Sequence, residues 1–418
     1  MKSKMKKQNA GVSGTKMIIG LVLSACFIYM MNCAVRNNFG LMLKSISEST
    51  GLDYASVSFV LAIGQMTFGV TQPLFGILAE KIGSKRTLIL GIVLIAAGAI
   101  LTPYCHTLPS LIFVLGILLP GATGALSFGI IMSVINDRIP AGRRTIVNGI
   151  VNASSGLGNT LFAPMIASAI TIGGLASGMK VLAIPSLLMI PVALFMCAGM
   201  YRAEITDPST KSPAGSASSG ESVVRKIASA FSNRDYLFIV LGFFTCGFHM
   251  ALITNHLPSQ IMTYGYSYEA ASGAFSVYGI ATILGGLASG WLCSKFSFKN
   301  VLAAQYTSRA VMTIVFLLLP KTMPLIIIYI FLLGFTGSAT VTPVSSICAD
   351  LFGRSGMSVF FGFAFLAHQF GSFLSSWGAG IIFQRTQSYV LIWTIDIVLC
   401  LAAGIFSFLI RKNHQEIS

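Results

Sequence analysis

The sequence predicts an all-α integral membrane protein with twelve transmembrane helices in two homologous six-helix bundles, and three observations support this. Of the 418 residues, 55% are hydrophobic and only 9% are charged, whereas soluble globular proteins carry about 25% charged residues. Twelve apolar runs are long enough to cross a hydrocarbon core of roughly 30 Å as helices. A polar segment divides these runs six and six. A soluble enzyme, a nucleic-acid binder and a disordered chain are therefore excluded.

The runs are too long and too evenly apolar for the strands of a membrane barrel. Their predicted limits are 17–43, 54–79, 87–104, 109–135, 145–172, 178–201, 236–260, 270–293, 300–319, 323–347, 357–383 and 389–410. Pro258 is expected to end the seventh run, because proline lacks the amide hydrogen that continues a helix. The segment between the halves is rich in Ser, Lys, Pro and Gly, which is typical of a flexible linker. The predicted domains are an N-terminal bundle (1–201), a cytoplasmic linker (202–235) and a C-terminal bundle (236–418).

Basic residues are concentrated on one side of the predicted membrane. Of 27 Lys and Arg residues, 21 lie in the two termini, the linker and the loops on the same side as these. Cytoplasmic segments carry such an excess, so we expect a multi-pass protein of the cell membrane with both termini in the cytoplasm. The net charge of +15 follows from this topology. The expected surroundings are a lipid bilayer, with no nucleic-acid partner.

Motifs for metal binding and catalysis are missing from the sequence. The eight cysteines form no C-x-x-C pair, and the five histidines lack the spacing of a metal site. A nucleophile elbow and a phosphate-binding loop are also absent. We therefore expect no metal, no cofactor and no enzymatic activity.

The two halves of the sequence resemble each other at an offset of 213 to 214 residues. The matching segments are 51–54 and 265–268, 76–85 and 290–299, 121–124 and 334–337, and 137–149 and 350–362. Two homologous bundles that rock against each other expose a midplane site to each side of the membrane in turn. The repeat therefore predicts a transporter that works by alternating access.

The loop between spans 2 and 3, Gly76-x-Leu-Ala-Glu-Lys-x-Gly-x-Lys-Arg86, resembles the signature loop of the major facilitator superfamily, with Glu80 where Asp is usual. The entry to span 5, Arg143-Arg144-x-x-x-Asn148-Gly149, resembles that of monocarboxylate transporters. The acidic motif that opens span 1 in the animal carriers is missing. The sequence is therefore most similar to bacterial carriers of the monocarboxylate-porter type.

This resemblance implies a secondary active transporter for a small organic anion, a monocarboxylate, that uses proton symport or anion exchange and acts as a monomer. The alternative is a proton-coupled exporter of drugs or amphipathic metabolites. Such exporters place a carboxylate in the cavity-lining spans of the first half. Here spans 1, 2, 4 and 5 carry Asp or Glu only at their ends, which counts against the exporter.

Arg36, in the outer half of span 1, is the predicted contact for the substrate. Its planar guanidinium donates two parallel hydrogen bonds and therefore suits a carboxylate. The substrate-binding lysine of monocarboxylate transporters aligns with the next residue, Asn37. The alternative is an interfacial arginine whose charged end reaches the lipid headgroups.

Further polar residues inside the spans are predicted to line the same cavity. They are Gln65, Asn152, His249, Asn255, Tyr278, His368 and Gln369. His249 lies near mid-depth and is expected to titrate with a co-transported proton. The alternative is a neutral histidine hydrogen-bonded to a carbonyl group.

Two other groups of charged residues have predicted roles. Glu80, Gly83, Lys85, Arg86, Asp137 and Asp350 are expected to gate the cytoplasmic side. Arg309 and Asp396 lie roughly 15 and 16 Å from the nearest span ends, at 1.5 Å per residue. Because an isolated charge is costly at this depth, we expect these two residues to form a structural ion pair.

Overall fold

The computed structural model describes residues 2–198 and 230–411, and the side chains of all of these except 2–15, 137, 141, 142, 145 and 354–358. Across these residues the chain is helical, with no strand. Most of the predicted linker lies outside the described residues. The membrane-spanning helices are α1 (Lys16–Asn37), α2 (Tyr54–Ile82), α3 (Ser84–Tyr104), α4 (Leu108–Ile135), α5 and α6 (together Ile146–Cys197), α7 (Arg234–Thr263), α8 (Tyr268–Lys295), α9 (Phe298–Leu318), α10 (Met323–Gly353), α11 (Val359–Thr386) and α12 (Val390–Phe408).

The longest of these eleven apolar helices, Ile146–Cys197, spans 52 residues. It is twice as long as a bilayer crossing requires. Gly173 and Gly174 leave the helical conformation within it, and Gly174 has a φ of +65°. The chain reverses at these two glycines, so α5 and α6 are separate spans. The predicted twelve-span, all-α fold is confirmed.

The repeat is visible in the backbone where α2 and α8 begin. Gly51 and Gly265, which are 214 residues apart, both have a positive φ, of +71° and +88°. Two residues later, the Asp53 side chain accepts a hydrogen bond from the Ser56 amide, and Ser267 accepts one from Ala270. The Ser56 amide also lowers the pKa of the Asp53 carboxyl group. Both halves therefore use a left-handed glycine and an N-cap to start the second span.

Two helix ends differ from the predictions. The first run was expected to continue to residue 43, but the helix ends at Asn37 and a short helix, Phe39–Thr50, follows. Pro258 was expected to end α7, but the helix continues to Thr263. The prolyl nitrogen cannot donate to the carbonyl oxygen of Thr254, and Gly40 of the short helix packs against that oxygen. The absence of a side chain at Gly40 permits this approach, so the short helix covers the irregular turn of α7.

The loops lie on two faces of the molecule. The basic face carries the α2–α3, α4–α5, α8–α9 and α10–α11 connections. The opposite face, called the hairpin face, carries the α1–α2, α3–α4, α5–α6, α7–α8, α9–α10 and α11–α12 connections. On the hairpin face the two bundles are in close contact: Tyr268 Oη donates a hydrogen bond of 2.7 Å to the Leu41 carbonyl oxygen, and the Ala55 amide donates one of 2.8 Å to Gln384 Oε1.

Contacts between the bundles end toward the basic face. At mid-depth, Gly156 of α5 lies against the Gly279 carbonyl group of α8, and Gly69 of α2 lies against the Gln369 side chain of α11. Nearer the basic face, open space surrounds four glycines at the positions where a Cβ would lie. These are Gly149 of α5, Gly286 of α8, Gly76 of α2 and Gly362 of α11. The described structure is therefore closed at the hairpin face and open toward the basic face.

Candidate functional site

A small cavity lies between the two bundles, below the closed hairpin face. Its volume is about 20 Å³, which is enough for one water molecule. Three polar side chains reach it: Arg36 from α1, Gln65 from α2 and Asn255 from α7. The other lining residues are Phe39, Leu61, Gly64, Leu115, Leu119 and Pro120. The cavity is therefore apolar apart from one cation and two amides, and both bundles contribute to it.

Arg36 is half-buried at the C-terminal end of α1, where the helix dipole favours a cation. Its guanidinium carbon lies 4.2 Å from the centre of the Phe68 ring, and its Nε donates a 3.3 Å hydrogen bond to Asn37 Oδ1. Its two terminal nitrogens bond to no residue in the described part of the chain. The two ion pairs recorded there, Lys44–Glu48 and His249–Asp396, do not involve Arg36. The ring fixes the guanidinium plane, and the terminal nitrogens stay available for an anion.

Gln65 joins the cavity to α11. The backbone carbonyl oxygen of Gln65 accepts a 2.8 Å hydrogen bond from Gln369 Nε2. Gln369 Oε1 in turn lies 2.9 Å from His368 Nδ1. The His368 ring stacks on Phe365. Three predicted site residues, Gln65, His368 and Gln369, are therefore close together at the edge of the cavity.

Asn255 is tied to α11 on the other side of the cavity. Its Nδ2 donates a 2.6 Å hydrogen bond to Ser376 Oγ. The neighbouring His256 is fully buried, with Nε2 2.8 Å from the Ser376 carbonyl oxygen and Nδ1 3.1 Å from the hydroxyl oxygen of Tyr54. The Tyr54 hydroxyl also lies 2.7 Å from that of Tyr389. This cluster joins α2 to α7, α11 and the start of α12, and it closes the hairpin face above the cavity.

The predicted ion pair between Arg309 and Asp396 is not formed. Asp396 Oδ2 lies 2.7 Å from His249 Nδ1, and both side chains are fully buried. Arg309 Nη2 instead donates hydrogen bonds to the carbonyl oxygens of Thr336 and Gly337. The α10 helix tightens to a 3₁₀ turn at Ser338–Thr340, and helix carbonyl groups at such a change of geometry need other donors. Arg309 is the donor to these carbonyl groups, and His249 is the partner of the Asp396 carboxylate.

His249, Asp396 and Cys400 bring three atoms of metal-ligand type within 4.8 Å of one another. Two ligands of one tetrahedral ion, each about 2.1 Å from the metal, stand roughly 3.4 Å apart. The 2.7 Å between His249 and Asp396 is instead the length of a charge-assisted hydrogen bond. The arrangement therefore fits a shared proton and does not fit a metal ion.

Other predicted site residues lie away from the cavity. Tyr278 is fully buried in the C-terminal bundle, where its hydroxyl group lies 3.5 Å from Met250 Sδ. Asn152 is exposed on α5, one turn beyond the Gly156 contact toward the basic face. His249 is fully buried and is not among the residues that line the cavity. Sequence position gives depth along a helix, but it does not show which side of the helix faces the cavity.

The predicted gating residues lie at the open basic face. Gly83, with a φ of +89°, separates α2 from α3. Glu80, Lys85 and Arg86 are exposed and make no hydrogen bond or ion pair with another described residue. The side chain of Asp137 lies outside the described residues. Asp350 has an interaction partner.

Two features of the site were not predicted. Phe68, which carries the Arg36 guanidinium group, has no distinguishing signal in a chain with 30 phenylalanines. Tyr54 and Tyr268 do have one, because they occupy equivalent positions in the Gly-x-x-Tyr segments of the repeat. Each bonds across to the other half of the molecule, Tyr54 to His256 and Tyr268 to Leu41. Tyrosines that recur in a repeat at the ends of spans mark contacts between the bundles.

Comparison with known proteins gives the same architecture. The family profile of the Major Facilitator Superfamily matches residues 25–376 and 263–416. A solved structure of a D-xylose-proton symporter superposes with a TM-score of 0.73 at 13% identity, covering 95% of this chain and 98% of that one. At this identity, the similarity concerns the fold alone.

Several curated proteins are similar at low identity. An uncharacterized MFS-type transporter, YcxA, of Bacillus subtilis (strain 168) is 22% identical over 95% of this chain and 96% of its own. Monocarboxylate transporter 12 of Mus musculus is 21% identical over 93% and 83%. The oxalate:formate antiporter of Oxalobacter formigenes is 25% identical over 41% of this chain and 40% of its own.

Twelve spans in two related halves, with a cavity between the halves, define a membrane transporter rather than an enzyme. The chain belongs to the Major Facilitator Superfamily.

Proposed function

We propose that this protein is a secondary active transporter of a small organic anion, a monocarboxylate, that works by proton symport or anion exchange. In this proposal the protein is a monomer in the cell membrane, with the basic face and both termini in the cytoplasm. The described state then opens to the cytoplasm. The excess of Lys and Arg on the basic face supports this orientation.

Arg36 is the observation on which the proposed substrate class rests. A half-buried cation inside a membrane protein is costly unless a partner offsets its charge, and an anion does so most strongly. In the described part of the chain no carboxylate pairs with Arg36, and the two terminal nitrogens that suit a carboxylate are unoccupied. A small organic anion supplies the missing charge, and Gln65 and Asn255 offer hydrogen bonds to its other end.

The contacts between the bundles support alternating access. They are close at the hairpin face and end halfway to the basic face, as the glycines of α5, α8, α2 and α11 show. A rocking motion that opens the first set of contacts and closes the second would expose the same cavity to the opposite side. The names of two relatives, a monocarboxylate transporter and an oxalate:formate antiporter, favour carboxylates as cargo.

The test is a counterflow assay in proteoliposomes with formate, acetate, L-lactate, pyruvate and oxalate. Arg36→Gln removes the charge and the two-pronged donor, whereas Arg36→Lys keeps only the charge. A hydrogen bond to a charged group contributes about 1.5–3 kcal/mol, so Arg36→Gln should weaken binding of the preferred monocarboxylate roughly 10- to 150-fold. Arg36→Lys should retain weak binding, measured by calorimetric titration.

Lys44→Gln is the matched control, because Lys44 is an exposed cation in the adjoining short helix and pairs with Glu48. It should bind the monocarboxylate as the wild type does. Equal affinities for wild type and Arg36→Gln would contradict the proposal. Arg36 would then only anchor α1 at the interface, and the proton-coupled exporter of drugs or amphipathic metabolites would explain the apolar lining of the cavity better.

A further inference from the structure

Helix α7 contains two fully buried histidines whose surroundings differ. Both nitrogens of His256 are within hydrogen-bonding distance of neutral partners, the Tyr54 hydroxyl group and the Ser376 carbonyl oxygen. This is the environment of a structural, uncharged histidine. His249 has one carboxylate partner, Asp396, and its second nitrogen, Nε2, is buried without any partner.

The carboxylate fixes the role of each nitrogen of His249. An ionised Asp396 only accepts hydrogen bonds, so the nitrogen 2.7 Å from it, Nδ1, carries a hydrogen in both the neutral and the protonated ring. Nε2 therefore holds the lone pair of the neutral form, and it is the atom that gains a proton. Once protonated, the ring forms an ion pair with Asp396 that is shielded from water.

We infer that the His249–Asp396 pair is the binding site of the co-transported proton, with His249 Nε2 as the acceptor and Asp396 as the residue that orients and stabilises the charged ring. This inference rests on the proposed function, and among the two modes proposed there it selects proton symport. It goes further in assigning Asp396, a residue expected to be structural, to the coupling mechanism.

Two further ionisable side chains interact directly with Asp396, namely Tyr329 of α10 and Cys400 of α12. The other ionisable groups on the neighbouring helices interact with one another, through Cys246 or Arg309; they are Cys246 on α7, Tyr278 on α8, Tyr306 and Arg309 on α9 and His368 on α11. Cys400 Sγ lies 3.9 Å from Asp396 Oδ1, and Arg309 interacts with Cys400. Of these groups Arg309 is the one that stays protonated at every accessible pH.

The balance of charges indicates one proton for each anion. The formal charges counted here are the cation Arg36 at the cavity, and the cation Arg309 and the anion Asp396 inside the C-terminal bundle. Binding an anion alone lowers this sum by one, and binding a proton alone raises it by one. When both bind, the sum returns to that of the empty carrier. The empty and the fully loaded carrier then have the same net charge in this region, whereas partly loaded forms differ from it by one charge.

The pair is close enough to the cavity to respond to the substrate. His249 and Asn255 lie on the same helix, six residues apart, which corresponds to about 9 Å along its axis. Asn255 lines the cavity that Arg36 occupies. A carboxylate bound there lowers the cost of a positive charge on His249, because charges interact strongly across a medium of low dielectric constant.

The first measurement is uptake of radiolabelled L-lactate, or of the monocarboxylate preferred in the counterflow panel, into proteoliposomes with an imposed pH gradient. With one proton per anion, a gradient of one pH unit should accumulate the anion roughly tenfold, since each pH unit is a tenfold ratio of proton activities. This ratio should not change when the membrane potential is varied with potassium and valinomycin. Accumulation that depends on the potential would contradict the one-to-one stoichiometry.

The variants His249→Gln and Asp396→Asn test the site itself. Both should retain counterflow, which requires no net proton movement, and both should lose accumulation, so that the internal and external concentrations become equal. His106→Gln, at an exposed position on the hairpin face, should accumulate the anion as the wild type does. Asp396→Glu keeps the charge and should retain part of the accumulation. Uptake by this variant tests the site if Asp396→Asn does not fold.

Histidine ¹⁵N NMR of the purified protein gives a readout that needs no substrate, with signals assigned by single His→Gln variants. His249 should change from neutral to protonated as the pH is lowered, and it should stay neutral over the same range in Asp396→Asn. His256 should remain neutral in both proteins. Counterflow of carboxylates combined with a His249 that never titrates would overturn this inference and leave the proposed function as anion exchange. A titrating His249 without any carboxylate transport would instead overturn the proposed function.

Discussion

Arg309 shows how a full charge is held in the middle of a membrane protein. It has no exposed surface, and its Nη2 bonds to two carbonyl oxygens of α10, while Nε and Nη1 have no partner. The Tyr306 ring lies beside it, 5.3 Å from the guanidinium carbon. The arginine therefore contributes to the packing of α9 against the irregular end of α10, and carbonyl dipoles offset part of its desolvation cost.

The prediction that Arg309 pairs with Asp396 is wrong, because Asp396 contacts His249 instead. Counting 1.5 Å per residue predicted a similar depth for Arg309, Asp396 and His249, and His249 and Asp396 do meet. Which of them meet depends on the rotation of each helix about its axis and on the spacing of the helices, and these follow from packing across the whole bundle. Formal charge was also a poor guide to the pairing, because the partner of the carboxylate is a histidine.

A double-mutant cycle distinguishes the observed pair from the expected one. Removing either member of a buried pair costs about 3–5 kcal/mol, because the other charge is left uncompensated. His249→Leu combined with Asp396→Leu should therefore cost much less than the sum of the two single changes. Arg309→Met combined with Asp396→Leu should be more nearly additive, with a coupling energy smaller by at least about 1 kcal/mol.

The measurement for this cycle is the free energy of unfolding in mixed micelles at increasing SDS concentration. The single Asp396→Leu variant is common to both cycles and serves as their internal reference. A larger coupling for Arg309 than for His249 would show that the arginine, and not the histidine, compensates the carboxylate.

Tyr54 and Tyr268 occupy equivalent positions in the two halves of the repeat, and both help to close the hairpin face. Each lies at the first turn of the second span of its half, behind a left-handed glycine, and each bonds to the other half. The contacts are not identical, because Tyr54 meets His256 and Tyr389, whereas Tyr268 meets a backbone carbonyl group. The duplicated sequence thus positions both tyrosines, and the divergence of the halves sets their partners.

Tyr54→Phe should favour opening of the hairpin face. The substitution removes two hydrogen bonds between the bundles and leaves the ring contacts in place. At about 0.5–1.5 kcal/mol each, their loss should raise the population open at this face roughly 5- to 150-fold. The measurement is the rate at which an impermeant maleimide, added on the hairpin-face side, labels Phe39→Cys in a background without the native cysteines.

Tyr104→Phe is the control for this experiment, because Tyr104 lies at the same face and is 74% exposed. It should not alter the labelling rate. Equal rates for wild type and Tyr54→Phe would mean that the hydrophobic contacts around the short helix close this face without help from the tyrosine.

Sequence patterns predicted the number, order and relation of the helices well, since these depend on the length of apolar runs and on the repeat. They missed the break at Asn38, the continuation of α7 through Pro258 and the π-helical turn Ile112–Leu118 in α4. Neighbouring helices pack against these departures: Gly40, just after the break, lies on the Thr254 carbonyl group of α7, and Gly116 in the π-helical turn lies on Ile63 of α2. Local sequence does not encode such tertiary support.

At the scale of the whole molecule, the two faces are in opposite states. The hairpin face has hydrogen bonds between the bundles, and at the basic face the charged side chains around Gly83 have no hydrogen bond or ion pair within the described structure. Charges that lack partners in one state and lie on a moving bundle can gain partners in the other. The gating role predicted for this loop therefore concerns the state that is closed at the basic face.

Glu80→Gln should destabilise that second state selectively. An exposed ion pair contributes up to about 1 kcal/mol, so exchange should slow by roughly fivefold with expression and folding unchanged. Labelling of Phe39→Cys from the hairpin-face side should fall by a similar factor, which is opposite to the effect of Tyr54→Phe. Because Glu80 and Tyr54 act on one equilibrium, the variant that combines Glu80→Gln with Tyr54→Phe should return toward the wild-type labelling rate.

Glu48→Gln, which removes an exposed carboxylate on the hairpin side, is the control and should leave exchange unchanged. If Glu80→Gln slows exchange without lowering the labelling rate, the carboxylate acts on a step other than closure of the basic face, and the two faces are not coupled through this loop.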